Sequence, residues 1–259
     1  MVNTKYEFVD GDTKTVDGRT LKRIRALVAI AALGVRVGDL GGYIESETNL
    51  QVSGDAWVSG DAQVYGDAQV SGNAWVSGNA WVYGDAQVSG NARVYGDAQV
   101  SGDAWVYGDA QVYGDAQVSG NAQVSGNAWV YGDAQVSGNA RVYGDAQVSG
   151  NAQVSGNAWV YGNAQVSGNA WVYGNAWVYG DAWVYGKCTQ IPICVSGLAW
   201  YVTITDDHMA IGCQFHTLKA WAEFTDAQIA EMDRGALKFW AAHKPLLLGL
   251  ARASGRLEP

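Results

Sequence analysis

From Leu50 to Gly186 the chain repeats a six-residue unit without interruption, Ala-x-Val-(Ser/Tyr)-Gly-(Asp/Asn). Val recurs every six residues from Val52 to Val184, which makes 23 units, and Ala stands two residues before each Val except in the first unit, where Leu50 takes its place. A spacing of two puts Ala and Val on one side of a strand and x on the other. Each unit therefore predicts a short strand with a small and a branched side chain turned inward, followed by a corner at Gly-Asp/Asn, residues that tolerate positive φ. A strict short period with one strand per unit specifies a solenoid, and the expected fold is an all-β parallel β-helix.

The pattern of an aliphatic residue followed four positions later by a small one runs from Val52 with Ala56 to Val178 with Ala182. In this it resembles the hexapeptide-repeat family. The resemblance implies a left-handed β-helix of triangular section with three hexapeptides per coil. The handedness rests on the resemblance alone, since ordinary crossover connections are right-handed. Three units per coil give 18 residues per turn, nearly eight coils and a rod roughly 37 Å long at strand spacing. The two end coils would expose unpaired edges and need caps. Three regions follow: 1–49, an N-terminal β-rich cap; 50–186, the repeat rod; and 187–259, an α+β tail.

A stride of 18 predicts what stacks on what. One face carries Gln51, Gln69, Gln87, Trp105, Gln123, Arg141, Trp159 and Trp177. A second carries Trp57, Trp75, Arg93, Gln111, Trp129, Gln147, Gln165 and Trp183, and the third Gln63, Trp81, Gln99, Gln117, Gln135, Gln153 and Trp171. Tyr95, Tyr113 and Tyr131 fall in one column and Tyr143, Tyr161 and Tyr179 in another. Asp97, Asp115 and Asp133 form one acidic ladder, and Asp67, Asp85 and Asp103 another. The segment GNAWVYGDAQVSGNARVYGDAQVSG occurs at Gly78 and again at Gly126, an offset that is a whole number of units but not of coils.

In the flanks, Asp10-Gly11 and Asp17-Gly18 predict turns, Leu21 to Leu27 a basic strand, and Val35 to Ile44 a rough first coil. Beyond Gly186 the frame fails. Trp200 to Thr205 and Met209 to Phe215 predict two strands of a hairpin around Asp206-Asp207. Thr225 predicts a helix cap, and Ala236 to Ala253 a helix kinked or restarted at Pro245. The layout, with GRTLKRIRAL, VGDLGGYIES and YVTITDDHMAIGCQFHTL, resembles uncharacterised bacterial and phage-borne repeat proteins, some of them labelled acyltransferases.

The formal charge is −9, and the rod carries all of it: between residues 51 and 186 there are 11 Asp, no Glu, 2 Arg and no Lys. That disfavours nucleic-acid phosphates and anionic membrane surfaces as partners. The first residues lack a signal-peptide pattern and no apolar run reaches membrane-spanning length, so a cytoplasmic location is expected. Three cysteines do not make a disulfide framework.

The resemblance implies two chemistries, acyl transfer from acyl-CoA with a His general base and γ-class carbonic anhydrase activity with zinc on three His. The rod has no His at all, because His208, His216 and His243 all lie in the tail. An enzymatic role is therefore disfavoured, with a divergent acyltransferase as the alternative, and no catalytic residue is assigned. No cofactor is expected. The residues with metal-ligand chemistry are His208, Cys213 and His216, with Asp207 or Cys188 as a fourth zinc ligand, against the plainer reading of a small buried Cys and ordinary histidines. The Asp ladders have the oxygen chemistry of a Ca²⁺ site, but Asp and Asn alternate there because both fit the corner.

The outward aromatics are the most informative feature, since such residues in number point to a partner. The expected interaction surface comprises Trp57, Trp75, Trp81, Trp105, Trp129, Trp159, Trp171, Trp177, Trp183, Tyr95, Tyr113 and Tyr131. The resulting expectation is a structural scaffold that associates with itself, as a homotrimer by resemblance, or with a protein partner. A glycan-binding module is a further alternative. Trp and Gln lying flat along strands to shield the backbone is the plain structural reading.

Overall fold

In the computed structural model, which describes residues 3–195 and 197–258, the repeat closes into a three-sided parallel solenoid. Two long strands open the chain, β1 (Tyr6–Val16) and β2 (Arg19–Ala26), followed by β3 (Leu40–Ile44). Strands β4 to β25 then supply one short strand per repeat unit, from Trp57–Val58 to Trp183–Val184. Pairing runs at a stride of 18: Trp57 and Val58 pair with Trp75 and Val76, and Trp105 and Val106 with Gln123 and Val124. Three parallel sheets result, and their outward columns are the three predicted faces.

The interior explains the unit. Every Ala from Ala56 to Ala182 and every Val from Val58 to Val184 is fully buried. Burying a Val contributes on the order of 1.5–3 kcal/mol, and the strict recurrence spreads this evenly along the rod. Ladder bonds such as Trp57 N–H to Ala74 O at 2.9 Å and Ser59 N–H to Val76 O at 2.9 Å pair the backbone from coil to coil. At the corners only Gly takes positive φ, for example Gly120 at 66° and Gly174 at 70°, while Asp and Asn beside it do not. Gly is required twice over at Gly120, because a Cβ there would lie 3.0 Å from the N of Gly138 in the next coil. Asn side chains link the corners, as in Asn73 to Asn91 at 3.0 Å and Asn91 to Asp109 at 2.9 Å.

The first unit departs from the rest. Leu50 is buried, but Val52 is 37% exposed and the first regular strand is that of Trp57. Leu50 packs into the core that the rod shares with the cap. The cap follows the expected outline with corrections. Asp17-Gly18 is the β1–β2 turn, with φ of 50° and 75°. Asp10-Gly11 lies within β1, where the register shifts between Phe8 and Thr13, so it marks an irregularity in the strand. Of the predicted rough coil only β3 is a strand; it pairs parallel with Gln63–Val64 and so joins the cap to the third face. Trp57, predicted to be outward, is 1% exposed and belongs to the core shared by rod and cap with Tyr6, Ile24 and Ile44.

At the other end β26 (Lys187–Cys188) pairs with Trp171–Val172, and a separate α+β unit follows. It has a four-stranded antiparallel sheet of β27 (Ile193–Val195), β28 (Val202–Ile204), β29 (His208–Ile211) and β30 (Gln214–Thr217). The stretch expected as one strand from Met209 to Phe215 is therefore two strands, turned at Gly212-Cys213 with Gly212 at φ 56°. Helices α1 (Leu218–Glu223), α2 (Asp226–Met232) and α3 (Ala236–Ala253) cover that sheet. Thr225 caps α2 with a reciprocal Gln228 contact, as expected. Helix α3 does not restart, but runs through Pro245 as one element. Among the described residues no helix is long and apolar enough to cross a membrane.

The corner geometry yields a paired test. Gly174 has positive φ like Gly120, yet a Cβ there would meet only Thr189 O at 3.8 Å. Gly174→Ala should lose about 1–2 kcal/mol from the left-handed backbone alone. Gly120→Ala should lose a further ~1–3 kcal/mol from the clash between coils. Denaturant midpoints of the two variants measure the difference; equal shifts would show that close stacking of the corners is unimportant.

Candidate functional site

With Ala, Val and Gly committed to the lattice, the free positions are x, Ser/Tyr and Asp/Asn. The first two form one connected surface, because a Ser or Tyr lies beside the x residue 16 positions later. Trp75 Nε1 donates to Ser59 Oγ at 2.8 Å, Tyr95 Oη donates to Gln111 Oε1 at 3.3 Å, and Tyr143 meets Trp159 edge-on with ring centroids 6.2 Å apart.

The predicted tyrosine columns are stacks of nearly parallel rings. Tyr95 and Tyr113 lie 4.8 Å apart, Tyr113 and Tyr131 5.1 Å, Tyr143 and Tyr161 5.0 Å, and Tyr161 and Tyr179 5.5 Å. A third stack, Tyr65 on Tyr83 at 5.2 Å, lies near the cap. The two rod arginines each sit over a Trp, Arg93 over Trp75 at 5.9 Å and Arg141 over Trp159 at 5.0 Å. Trp159 stacks on Trp177 at 5.3 Å. Of the predicted surface, Trp75, Trp81, Trp159, Tyr95, Tyr113 and Tyr131 are half-buried, while Trp105, Trp129, Trp171, Trp177 and Trp183 are exposed. Trp57 is withdrawn from it by the cap.

Clefts on the rod share a composition. One is lined by Lys14, Asp61, Gln63, Trp81, Asp97 and Gln99, where Lys14 bridges to Asp61 at 3.1 Å and holds that carboxyl below its ordinary range. Another is lined by Gln153, Ser155, Trp171 and Tyr173, and a third by Tyr107, Gln123, Ser125, Arg141, Tyr143 and Trp159. Each joins a Trp to one or more Gln side chains.

The tail does not gather the predicted metal ligands. Cys213 is exposed at the β29–β30 turn. His208 stacks on Phe215 at 4.6 Å and contacts Asp207 at 2.7 Å, while His216 packs edge-on to Trp221 and Phe224. Cys188 lies in the rod core with its thiol pushed up to about 12, chiefly by burial and then by the Asp206 charge. Among the described residues no three His, Cys, Asp or Glu side chains come together as a metal-holding group, the corner Asp ladders included. Nearby, Trp200, Trp221, Phe239 and Trp240 line a small apolar cavity of about 40 Å³.

A family model described as the YdcK β-solenoid repeat matches ten segments running from 50–67 to 170–186, which together span more than half of the chain. The chain belongs to the YdcK β-solenoid repeat family. Successive matches in this family are offset by 6, 12 or 18 residues, as expected when the unit is six residues and the coil three units. The family match ends at Gly186, so the tail lies outside it. No curated protein matches the chain.

Two measurements follow from the environments of these groups. Burial raises Tyr6 and Tyr65 to about 12, so their contribution to stability is complete below pH 10 and is lost as pH rises through 12. Denaturant midpoints should fall over that interval, and a flat profile would contradict it. Alkylation at neutral pH should modify Cys213 first and leave Cys188 unmodified until the protein unfolds. Protection of Cys213 by added Zn²⁺ would instead support a metal site.

Proposed function

We propose that this protein is a non-enzymatic scaffold, a rigid solenoid that associates with a second copy of itself through its last coils. The carrying observation joins charge to exposure. Ten of the rod's 11 acids lie between Asp55 and Asp145, the last being Asp181, and between residues 146 and 180 there is no charged residue at all. Within that stretch Trp171 is 53% exposed and Trp177 42% exposed. The final coil reads Trp-Val-Tyr three times, at Trp171, Trp177 and Trp183, which sets a Trp on each face and a Tyr after each strand. A charge-free zone with exposed aromatics has the composition of the buried centre of a protein interface. Elsewhere the acidic corners of two copies repel. The absence of His from the rod supports a non-catalytic reading.

The experiment is mass in solution for the full chain and for a variant with Asn157→Asp, Asn163→Asp and Asn175→Asp. These changes place acids at corners where the rod uses Asp and Asn interchangeably. The expected result is an oligomer for the parent chain and a monomer for the variant, which stays folded but melts somewhat lower because the Asn157–Asn175 and Asn163–Asp181 links between corners are lost. A parent chain that stays monomeric at high concentration, or a variant that assembles equally well, would overturn the proposal.

A further inference from the structure

The column that contains Tyr143, Tyr161 and Tyr179 has a gap. Read at a stride of 18 it runs Tyr107, Ser125, Tyr143, Tyr161, Tyr179. The other columns pass from Tyr to Ser in longer blocks: Tyr131 is separated from Tyr185 by Ser149 and Ser167, and Tyr83 from Tyr173 by four serines. Only at Ser125 does one serine stand between two tyrosines. The step between stacked rings in this column is 5.0 to 5.5 Å. Tyr107 and Tyr143 are thus roughly 10 Å apart, two strand spacings, which leaves room for one ring between them. A cleft of about 210 Å³ lies there, and its lining is Tyr107, Gln123, Ser125, Arg141, Tyr143 and Trp159.

We propose that this slot binds the terminal pyranose ring of a gluco-configured oligosaccharide, inserted as the missing member of the stack. The two tyrosine faces require a ring with apolar C–H groups on both sides. The rim of Gln123, Ser125 and Arg141 requires a ring whose edge is polar, because an all-carbon ring would leave those groups without hydrogen-bond partners. A pyranose with all its hydroxyls equatorial meets both requirements. An axial hydroxyl, as in galactose or mannose, would press a polar group onto one tyrosine face. Nucleobases also have polar edges; the acidic rod repels the nucleic acids that carry them, and the uncharged nucleoside adenosine is the competing occupant that the test sets against the sugar. Arg141 is already placed over Trp159, so its guanidinium is held at the rim without closing the slot.

The duplicated segment sharpens the case. Arg-Val-Tyr occurs at Arg93–Tyr95 and again at Arg141–Tyr143. The residues one and two coils before Tyr95 are Ser77 and Ser59, so the first copy has no second wall. Because the copies differ by a number of units that is not a whole number of coils, only the second falls in the column of Tyr107.

The test is calorimetric titration of the full-length protein with cellotetraose, with mannotetraose and adenosine as comparison ligands. Cellotetraose should bind and the other two should bind at least tenfold more weakly. Ser125→Tyr, which gives this position the residue of its column neighbours, should abolish binding while leaving the melting temperature unchanged or higher. Tyr107→Ser should weaken binding about tenfold, the loss of one stacking wall. No cellotetraose binding at millimolar concentration, equal binding of mannotetraose or adenosine, or undiminished binding by Ser125→Tyr would each overturn the proposal. Trp159 belongs both to the slot and to the charge-free stretch, so the titrations are run with the assembly state recorded by mass; sugar binding and assembly are separate readouts, and either proposal can fail without the other.

Discussion

Stacking each coil on the next at a stride of 18 is the constraint on which the rest of the structure depends. From Gly54 to Gly162 each glycine corner rests against the glycine 18 residues on, near enough that a Cβ on most of them would crowd the next backbone. The three faces then enclose an interior that Ala and Val fill completely. Half of each unit is fixed in this way. What the chain can vary without disturbing the lattice is the x residue, the Ser/Tyr choice and the Asp/Asn choice, and each of these faces outward.

Separating lattice from surface explains why the rod can be lengthened by whole units. Any number of units preserves the ladder, while a number that is not a multiple of three rotates the added surface onto a new face. The two copies of the duplicated segment are folded alike, yet Arg93 lies over Trp75 on one face and Arg141 over Trp159 on another. Surface features arise from such rotations, through what a copied residue meets in neighbouring coils. The gap at Ser125 is of this kind.

Much of this was legible in the sequence because periodicity fixes neighbours. The three faces, the tyrosine stacks and the inward Ala and Val follow from the stride of 18. What was not legible lies where the period ends. Trp57 sits in the same Asp-Ala-Trp-Val context as the exposed Trp105 and Trp183, and only the non-periodic cap buries it. The tail offers no stride to count, so its local pattern runs on as strand through the turn at Gly212-Cys213 and gives no sign of the short helix Leu218–Glu223. The cleft at Ser125 was within reach, since Tyr107, Ser125 and Tyr143 share a column, but columns read as blocks of tyrosine conceal a single interruption.

Hydrogen–deuterium exchange across the central coils, residues 80–160, tests most directly the claim that a uniform inner lattice carries the fold while the outward residues are free for binding. Backbone ladders of the same geometry should protect units bearing Gln, Trp or Arg to the same degree on all three faces. Protection that follows the outward residue, with Gln-bearing units exchanging quickly and Trp-bearing units slowly, would contradict it and would make the aromatic columns part of what holds the rod together.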